Sequence, residues 1–525
     1  MPQVTLEQAM HVAATHHSAG RLAEAEAVCV HILSSWPNNM EALYLLGSVW
    51  QGQNKLNQAI ACYQRLTALR PDLATAHFNM GNAWKDKGRL DRAIACYQGA
   101  IAADPRYMEA HVNLGIALHQ SGQIDSSIAC LQRAVELNPQ SAEAHFNLGK
   151  ACASNADFDR AMACYRLAVQ LNPNSVEAHN NLGVLLAEQG HPQQAVEYYR
   201  TAIAINPEFA GAHYNLAHVL LRGGDLAQGW EQYQWRWKCP GLEAPRVLSR
   251  PAWDGSDLPD GTILLTSEQG LGDTIQFIRY APLVAARCRR VVLQCQEELL
   301  PLLDGTEGIA QVVRHSDALP EFDAHCPLLN LPGIFSTTIE SIPSHIPYVH
   351  AHRERIEAWS GKIDGQTRPR IGLAWAGRPE NRNDLHRSLP LATLAALGQF
   401  SDAVFYSLQK GPASQQAASP PTGMRLIDLT SELNDFAETA GLIANLDLVI
   451  SVDTAVVHLA GAMGRPVWTL LPFCPDWRWL LERSDSPWYP TMRLFRQATI
   501  GDWTGVIEQV VDALRQWIGE HPTWR

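Results

Sequence analysis

At 525 residues the chain is too long for one hydrophobic core, and roughly two to four domains are expected. With 46% hydrophobic and 18% charged residues it has the composition of an ordinary globular protein, which excludes a fibrous or disordered chain. A formal net charge of -12 argues against a binder that tracks nucleic-acid phosphates, which needs a basic stripe, but leaves small phosphorylated ligands open.

The first residues, MPQVTLEQAMHVAATHH, lack the basic start, apolar run and cleavage site of a secretory signal. No apolar run of about 18 uncharged residues follows, so no membrane span is expected. A cytoplasmic location is the default expectation. Of the 11 cysteines, Cys62, Cys96, Cys130 and Cys164 recur every 34 residues, and no Cys-x-x-Cys pair occurs. They read as one repeated small apolar core position, with reduced thiols and no metal.

The same 34-residue step governs Pro37, Pro71, Pro105, Pro139, Pro173 and Pro207. It also governs Gly47, Gly81, Gly115, Gly149 and Gly183, and Ala59, Ala93, Ala161 and Ala195, with Ser127 in phase. Small residues let two antiparallel helices approach, and proline ends the second helix of each pair. This period resembles the tetratricopeptide repeat. It predicts an all-α solenoid over residues 1–237, with a degenerate last unit in GDLAQGWEQYQWRW.

Within the repeats Asn79, Asn113, Asn147, Asn181 and Asn215 form a ladder in AHxNLG-type segments. Asparagine is not favoured inside helices, and its amide offers a donor and an acceptor together. Two readings follow: the ladder holds the backbone of an extended acceptor peptide, or it spaces neighbouring repeats. The pattern is similar to the repeats of the O-GlcNAc transferase family, which implies the first. The accompanying His77, His111, His145, His179 and His213 read as inter-helix packing residues.

From about residue 238 prolines and glycines break the period, and short β-type runs alternate with helical stretches. Strands are expected at Thr262–Thr266, Val291–Gln294, Ile371–Trp375, Val404–Leu408, Leu448–Ser451 and Val467–Leu471. Helices are expected after Gly272, Leu391, Asp435 and Thr454. The alternation predicts two parallel-sheet lobes, residues 238–345 and 346–525, with Ser344–Arg368 between their sheets. The last helix, Trp503–Ile518, is expected to pack back across both.

In TILLTSEQGLGDTIQF a strand enters a glycine loop with Gly270 and Gly272, and Asp273 starts the helix. Gly-x-Gly without a third glycine or a ribose-binding acid is a poor dinucleotide fingerprint. Asp273 reads either as a first-turn acid complementing the helix dipole or as a carboxylate that takes a proton from a hydroxyl. The helix start is expected to keep it ionised. In LDLVISVDTAVVHLAGAMGRPVWTLLP, Asp453 precedes a helix whose first N–H groups, at Thr454, Ala455 and Val456, offer an anion site, with His458 one turn on. Arg382 and Arg387 follow another strand, and Gln409 and Lys410 a third. Three strand ends with anion-binding groups outline a nucleotide-diphosphate pocket.

These motifs resemble the ADP-heptose:lipopolysaccharide heptosyltransferase family over about residues 262–500. The resemblance implies the two-lobed GT-B fold, Asp273 as general base, and Asp453, Thr454, Ala455 and His458 on the donor phosphates. Arg387 matches a basic diphosphate-binding residue. The motif here is Asp-Thr-Ala where many relatives have Asp-Thr-Gly. The combination of repeats and transferase also resembles bacterial flagellin glycosyltransferases that act in the cytosol. With no Asp-x-Asp motif near a strand end, the expected chemistry is inverting, metal-independent sugar transfer from a nucleotide sugar, without a cofactor. The acceptor would be Ser or Thr of a protein in the repeat groove, with self-association left open. The alternatives are a lipopolysaccharide or polysaccharide transferase and a non-catalytic repeat scaffold.

Overall fold

The computed structural model describes residues 5–242, 248–363, 369–379 and 384–521. The chain divides into two compact units, one running to Leu185 with Ala204–Pro207, the other formed by Leu186–Ile203 and everything from Glu208 onward.

The first unit is the expected all-helical repeat stack. Its regular pairs are Met40–Gly52 with Leu56–Leu69, Ala74–Asp86 with Leu90–Ala103, Met108–Gln120 with Ile124–Leu137, and Ala142–Ser154 with Phe158–Leu171. The in-phase glycines are required by packing. A Cβ on Gly47, Gly81 or Gly149 would lie 2.7, 2.6 or 2.7 Å from the ring of Tyr63, Tyr97 or Tyr165, and on Gly115 it would meet Leu131. Ala59, Ala93, Ser127 and Ala161 are fully buried, and the Ser127 hydroxyl donates to the Gly115 carbonyl at 2.7 Å, which is how a polar residue fits this position. Cys62, Cys96 and Cys164 are buried core thiols, raised to about 11 by burial. Nε2 of His77, His111, His145 and His179 lies 3.0, 3.1, 3.0 and 2.9 Å from the carbonyl of the proline six residues earlier. Each histidine therefore fastens an inter-helix turn, which fits the packing reading.

The second unit begins with repeat helices of its own, including Ala210–Arg222 and Leu226–Tyr233, and continues into an α/β region. Its first four strands are β1 (Leu258–Thr266), β2 (Cys288–Cys295), β3 (Gln311–Arg314) and β4 (Ala324–Pro327). They form a parallel sheet in the order β3-β2-β1-β4. The next six are β5 (Arg370–Ala374), β6 (Val404–Ser407), β7 (Leu426–Asp428), β8 (Leu448–Val452), β9 (Val467–Leu471) and β10 (Met492–Arg496). They form a second parallel sheet in the order β10-β9-β8-β5-β6-β7. Strands β5, β6, β8 and β9 are buried throughout, as parallel strands covered on both faces must be.

The compact division falls near residue 186, inside the helical repeats that run on to Tyr233, because the last repeats pack on the α/β region. Trp230 meets Trp477 edge-on with centroids 5.1 Å apart, and the buried Arg236 guanidinium grips Glu268 through two hydrogen bonds of 3.0 and 2.9 Å. The final helix, Trp503–Gly519, does not cross both lobes. Its apolar stripe Val506, Val510 and Leu514 joins Leu394, Leu397, Trp468 and Phe495 in a core that belongs to the second sheet alone. A larger core is continuous from Ile263 and Val291 of the first lobe to Val449 and Val467 of the second.

Candidate active site

Strand order decides where a site can form. In an open parallel sheet, a crevice opens at the C-terminal strand ends where the winding direction reverses. In the first sheet that reversal lies between β1 and β4, and in the second between β5 and β8. The chain leaves β1 into the Gly270–Asp273 loop, β5 into the loop that leads to Arg387, and β8 into Asp453 and Thr454.

The first and third of these loops meet. A Cβ on Gly272 would stand 2.7 Å from His458 Cδ2 and 3.4 Å from Ala455 Cα. Glycine is required here because the start of the Leu271–Phe277 helix packs directly on that of the Ala455–Ala462 helix. Asp273 uses Oδ2 to accept the Gly270 N–H at 2.8 Å, so it does cap its own helix. Its Oδ1 accepts from Arg478 Nη2. Two of roughly four lone-pair sites are therefore used, and the carboxylate keeps capacity for a proton. Its pKa is raised by burial, against which Arg478 pulls down while Asp476 pushes up further. The expected effect of the helix start is outweighed, and Asp273 is a stronger base than its position alone implies.

Thr454, Ala455 and Val456 remain part-exposed at the start of the Ala455–Ala462 helix, and no side chain caps it. Arg387 closes the rim, its Nη1 donating to the Asp453 carbonyl at 2.9 Å and its Nε to Asp384 at 3.2 Å. A Cβ on Gly377 would sit 2.6 Å from Arg387 Nη2, so glycine lets the β5 loop lie against the guanidinium. Asp453 is buried and its pKa is pushed up to about 6, by burial first and by Asp476 second. His458 is held well below its ordinary value by burial and by Arg478, and its Nδ1 pairs with the Tyr489 hydroxyl at 2.9 Å. A neutral imidazole there positions the helix rather than supplying charge.

Gln409 has a different task from the one its motif suggested. Its Oε1 accepts from Trp375 and Ala376 N–H, both at 2.8 Å, and its Nε2 donates to the Ala376 and Lys410 carbonyls at 2.9 and 2.8 Å. The amide is spent on shaping the β5 loop behind Arg387. Lys410 donates to the Thr430 carbonyl at 2.8 Å, which turns it away along the sheet edge. Arg382 lies outside the described residues. Three side chains escaped the sequence reading: Arg478, Asp476 and Gln276. The signal for the first two was the Asp-Trp-Arg-Trp run after β9, polar residues inside an aromatic segment.

In the repeats, Asn79 donates to the Tyr44 hydroxyl at 3.0 Å and Asn113 to Asn82 at 2.9 Å, both across repeats. Asn147 donates to the Glu143 carbonyl of its own helix at 2.9 Å. All three are half-buried, and their Oδ1 atoms accept no hydrogen bond among the described residues. Asn181 accepts from Asn180 at 3.3 Å, and Asn215, also half-buried, stands in the second unit. The spacer role is thus visible on the donor side, while three acceptors remain open. No helix among the described residues is long and apolar enough to cross a membrane.

Tetratricopeptide-repeat profiles match residues 52–88, 81–122, 117–155 and 148–222. The profile of glycosyltransferase family 9 (heptosyltransferase) matches residues 413–473, a stretch with Asp453, Thr454 and His458 but neither Asp273 nor Arg387. Protein FlbA of Caulobacter vibrioides is 26% identical over 315 residues, covering 55% of this chain and 52% of that protein. The chain thus spans about half the length of this curated relative. Among solved structures, YrrB, described as a TPR protein with an unusual peptide-binding site, is 26% identical with TM-score 0.32, over 35% of this chain and 95% of that one. A tetratricopeptide repeat protein from Parabacteroides merdae is 16% identical with TM-score 0.37, over 44% and 91%. The chain thus carries tetratricopeptide-repeat matches in its first half and a match to the glycosyltransferase family 9 profile in its second.

Proposed function

We propose that the chain is a glycosyltransferase that moves a sugar from a nucleotide-sugar donor to a Ser or Thr hydroxyl of a protein. The observation that carries this is the meeting of two switch-point loops, with Asp273 on one and the open N–H groups of Thr454–Val456, rimmed by Arg387, on the other. In the proposed step the acceptor oxygen attacks the anomeric carbon as the bond from that carbon to the diphosphate oxygen breaks. The bonding pair leaves with the diphosphate, and the hydroxyl proton passes to Asp273. A single in-line displacement inverts the anomeric centre. The leaving charge would be met by the helix start and by Arg387, preorganised donors of the kind that stabilise developing anions.

A protein acceptor is favoured over lipid or polysaccharide by the open Asn79, Asn113 and Asn147 acceptors, which suit the N–H groups of an extended peptide. A flagellin is one acceptor to try. The test is nucleoside-diphosphate release by the full chain from ADP-, GDP- and UDP-linked hexoses. Release by the wild type and not by Asp273→Asn is expected. Equal release by both would remove Asp273 as the base.

A further inference from the structure

We propose that Arg478, braced by Asp476, is the positioning residue of the transfer: it reaches from the second lobe to fix the Asp273 carboxylate on the first. This rests on the reading of Asp273 as the base.

The geometry is a fork with three partners. Arg478 Nη2 donates to Asp273 Oδ1, Nη1 to Asp476 Oδ1 at 2.8 Å, and Nε to Gln276 Oε1 at 2.7 Å. Asp273 and Gln276 share the Leu271–Phe277 helix, so the guanidinium grips two successive points of one helix face, whereas Asp476 lies two residues away on its own segment. The guanidinium lies over the Trp477 ring, 4.2 Å from its centroid, and the side chain is 8% exposed. Such a planar, buried fork, bonded through each of its three nitrogens, has one orientation, which a lysine cannot reproduce.

A general base needs one lone pair aimed at the acceptor hydroxyl and a carboxylate that is ionised when substrate binds. With Oδ2 on the Gly270 N–H and Oδ1 on Arg478, Asp273 cannot rotate about its terminal bond, so the remaining lone pairs point in a fixed direction. Asp476 sets how much of the Arg478 charge reaches Asp273. Burial opposes ionisation of Asp476, but Arg478 and His218 hold it below the usual carboxylate range, so it competes for the guanidinium as an anion. Arg387 from the second lobe, Glu268 from the first and the Tyr233 hydroxyl also face Asp273, and neither variant removes any of them.

The two partners predict shifts of opposite sign. Asp273 must be ionised to act, so kcat/KM falls below its pKa. Removing Arg478 raises that pKa and moves the acid limb to higher pH. Removing Asp476 releases the guanidinium to Asp273, lowers the pKa and moves the limb to lower pH. The experiment is the pH profile of nucleoside-diphosphate release from the same hexose donors by the full chain. Arg478→Gln is expected to move the acid limb up by about 1–3 pH units, and Asp476→Asn to move it down. Arg478→Lys keeps a charge without the fork, so its limb stays nearer the wild type while kcat falls about 10–100-fold from misplacement. Limbs unmoved in both Arg478→Gln and Asp476→Asn, or moved in the same direction, would overturn the proposal while leaving Asp273 as the base if Asp273→Asn is inactive. Should Arg478→Gln fail to fold, the downward limb of Asp476→Asn decides alone. An active Asp273→Asn would instead remove the base and its positioning residue together.

Discussion

The asparagine ladder of the repeats and the carboxylate–guanidinium cluster around Asp273 handle polar groups in opposite ways. The ladder amides are half-buried, Asn79, Asn113 and Asn147 each donate one hydrogen bond, and the acceptors of these three stay open among the described residues. In the cluster, Arg478 and Gln276 are buried and Asp273 is 18% exposed, with both of its oxygens engaged. Under the proposed function, the difference is one between recognition and chemistry. Recognition of a variable peptide needs many small, independent contacts, whereas proton transfer needs one group held at one angle. Loss of a single member should therefore be nearly silent in the first region and severe in the second.

The largest expected effect is on Asp273. Asp273→Asn keeps the Gly270 cap but cannot take a proton, and kcat should fall about 10²–10⁴-fold in a donor-release assay. Next is Arg236→Ala, which leaves Glu268 buried without its partner; calorimetry should show a loss of about 3–5 kcal/mol in the second unit. The pKa of Glu268 is already raised by burial, so the variant should be least destabilised at acid pH, where that carboxyl is neutral.

The ten strands show what the sequence could and could not disclose. β1, β2, β5, β6, β8 and β9 stand out as apolar runs because central parallel strands are covered on both faces. β3, β4, β7 and β10 were not anticipated, and these four are the edges of the two sheets. All four keep part-exposed or exposed polar residues, such as Gln311, Arg314, His325, Asp428 and Arg493, so they carry no continuous apolar signal. The placement of Asp273, Asp453, Thr454 and His458 at helix starts was legible because the sequence marks those starts with Gly-Asp or Asp-Thr. Arg478 was not, because it meets Asp273 across 205 residues of chain. Gln409 was misjudged because a strand-end amide looks the same in sequence whether it faces a ligand or its own loop.

Smaller effects sharpen the contrast further. Gly272→Ala pushes a methyl against His458 Cδ2 and should cost about 1–3 kcal/mol of stability, with a parallel loss of activity as the two helix starts separate. Asn113→Ala removes one inter-repeat bond to Asn82 and should change stability by only about 0.5–1.5 kcal/mol. Replacing Asn79, Asn113 and Asn147 together should weaken acceptor binding well beyond any single change while leaving donor release untouched. If a single ladder variant abolished acceptor binding, the picture of many small contacts would fail.

The most direct test of the central claim is proteome-wide mass spectrometry of cells that carry either the wild-type chain or Asp273→Asn. The account predicts a sugar-mass adduct on Ser or Thr of at least one protein in wild-type cells, and its loss in the variant at equal abundance of the chain. The same adducts at the same occupancy in both would contradict it.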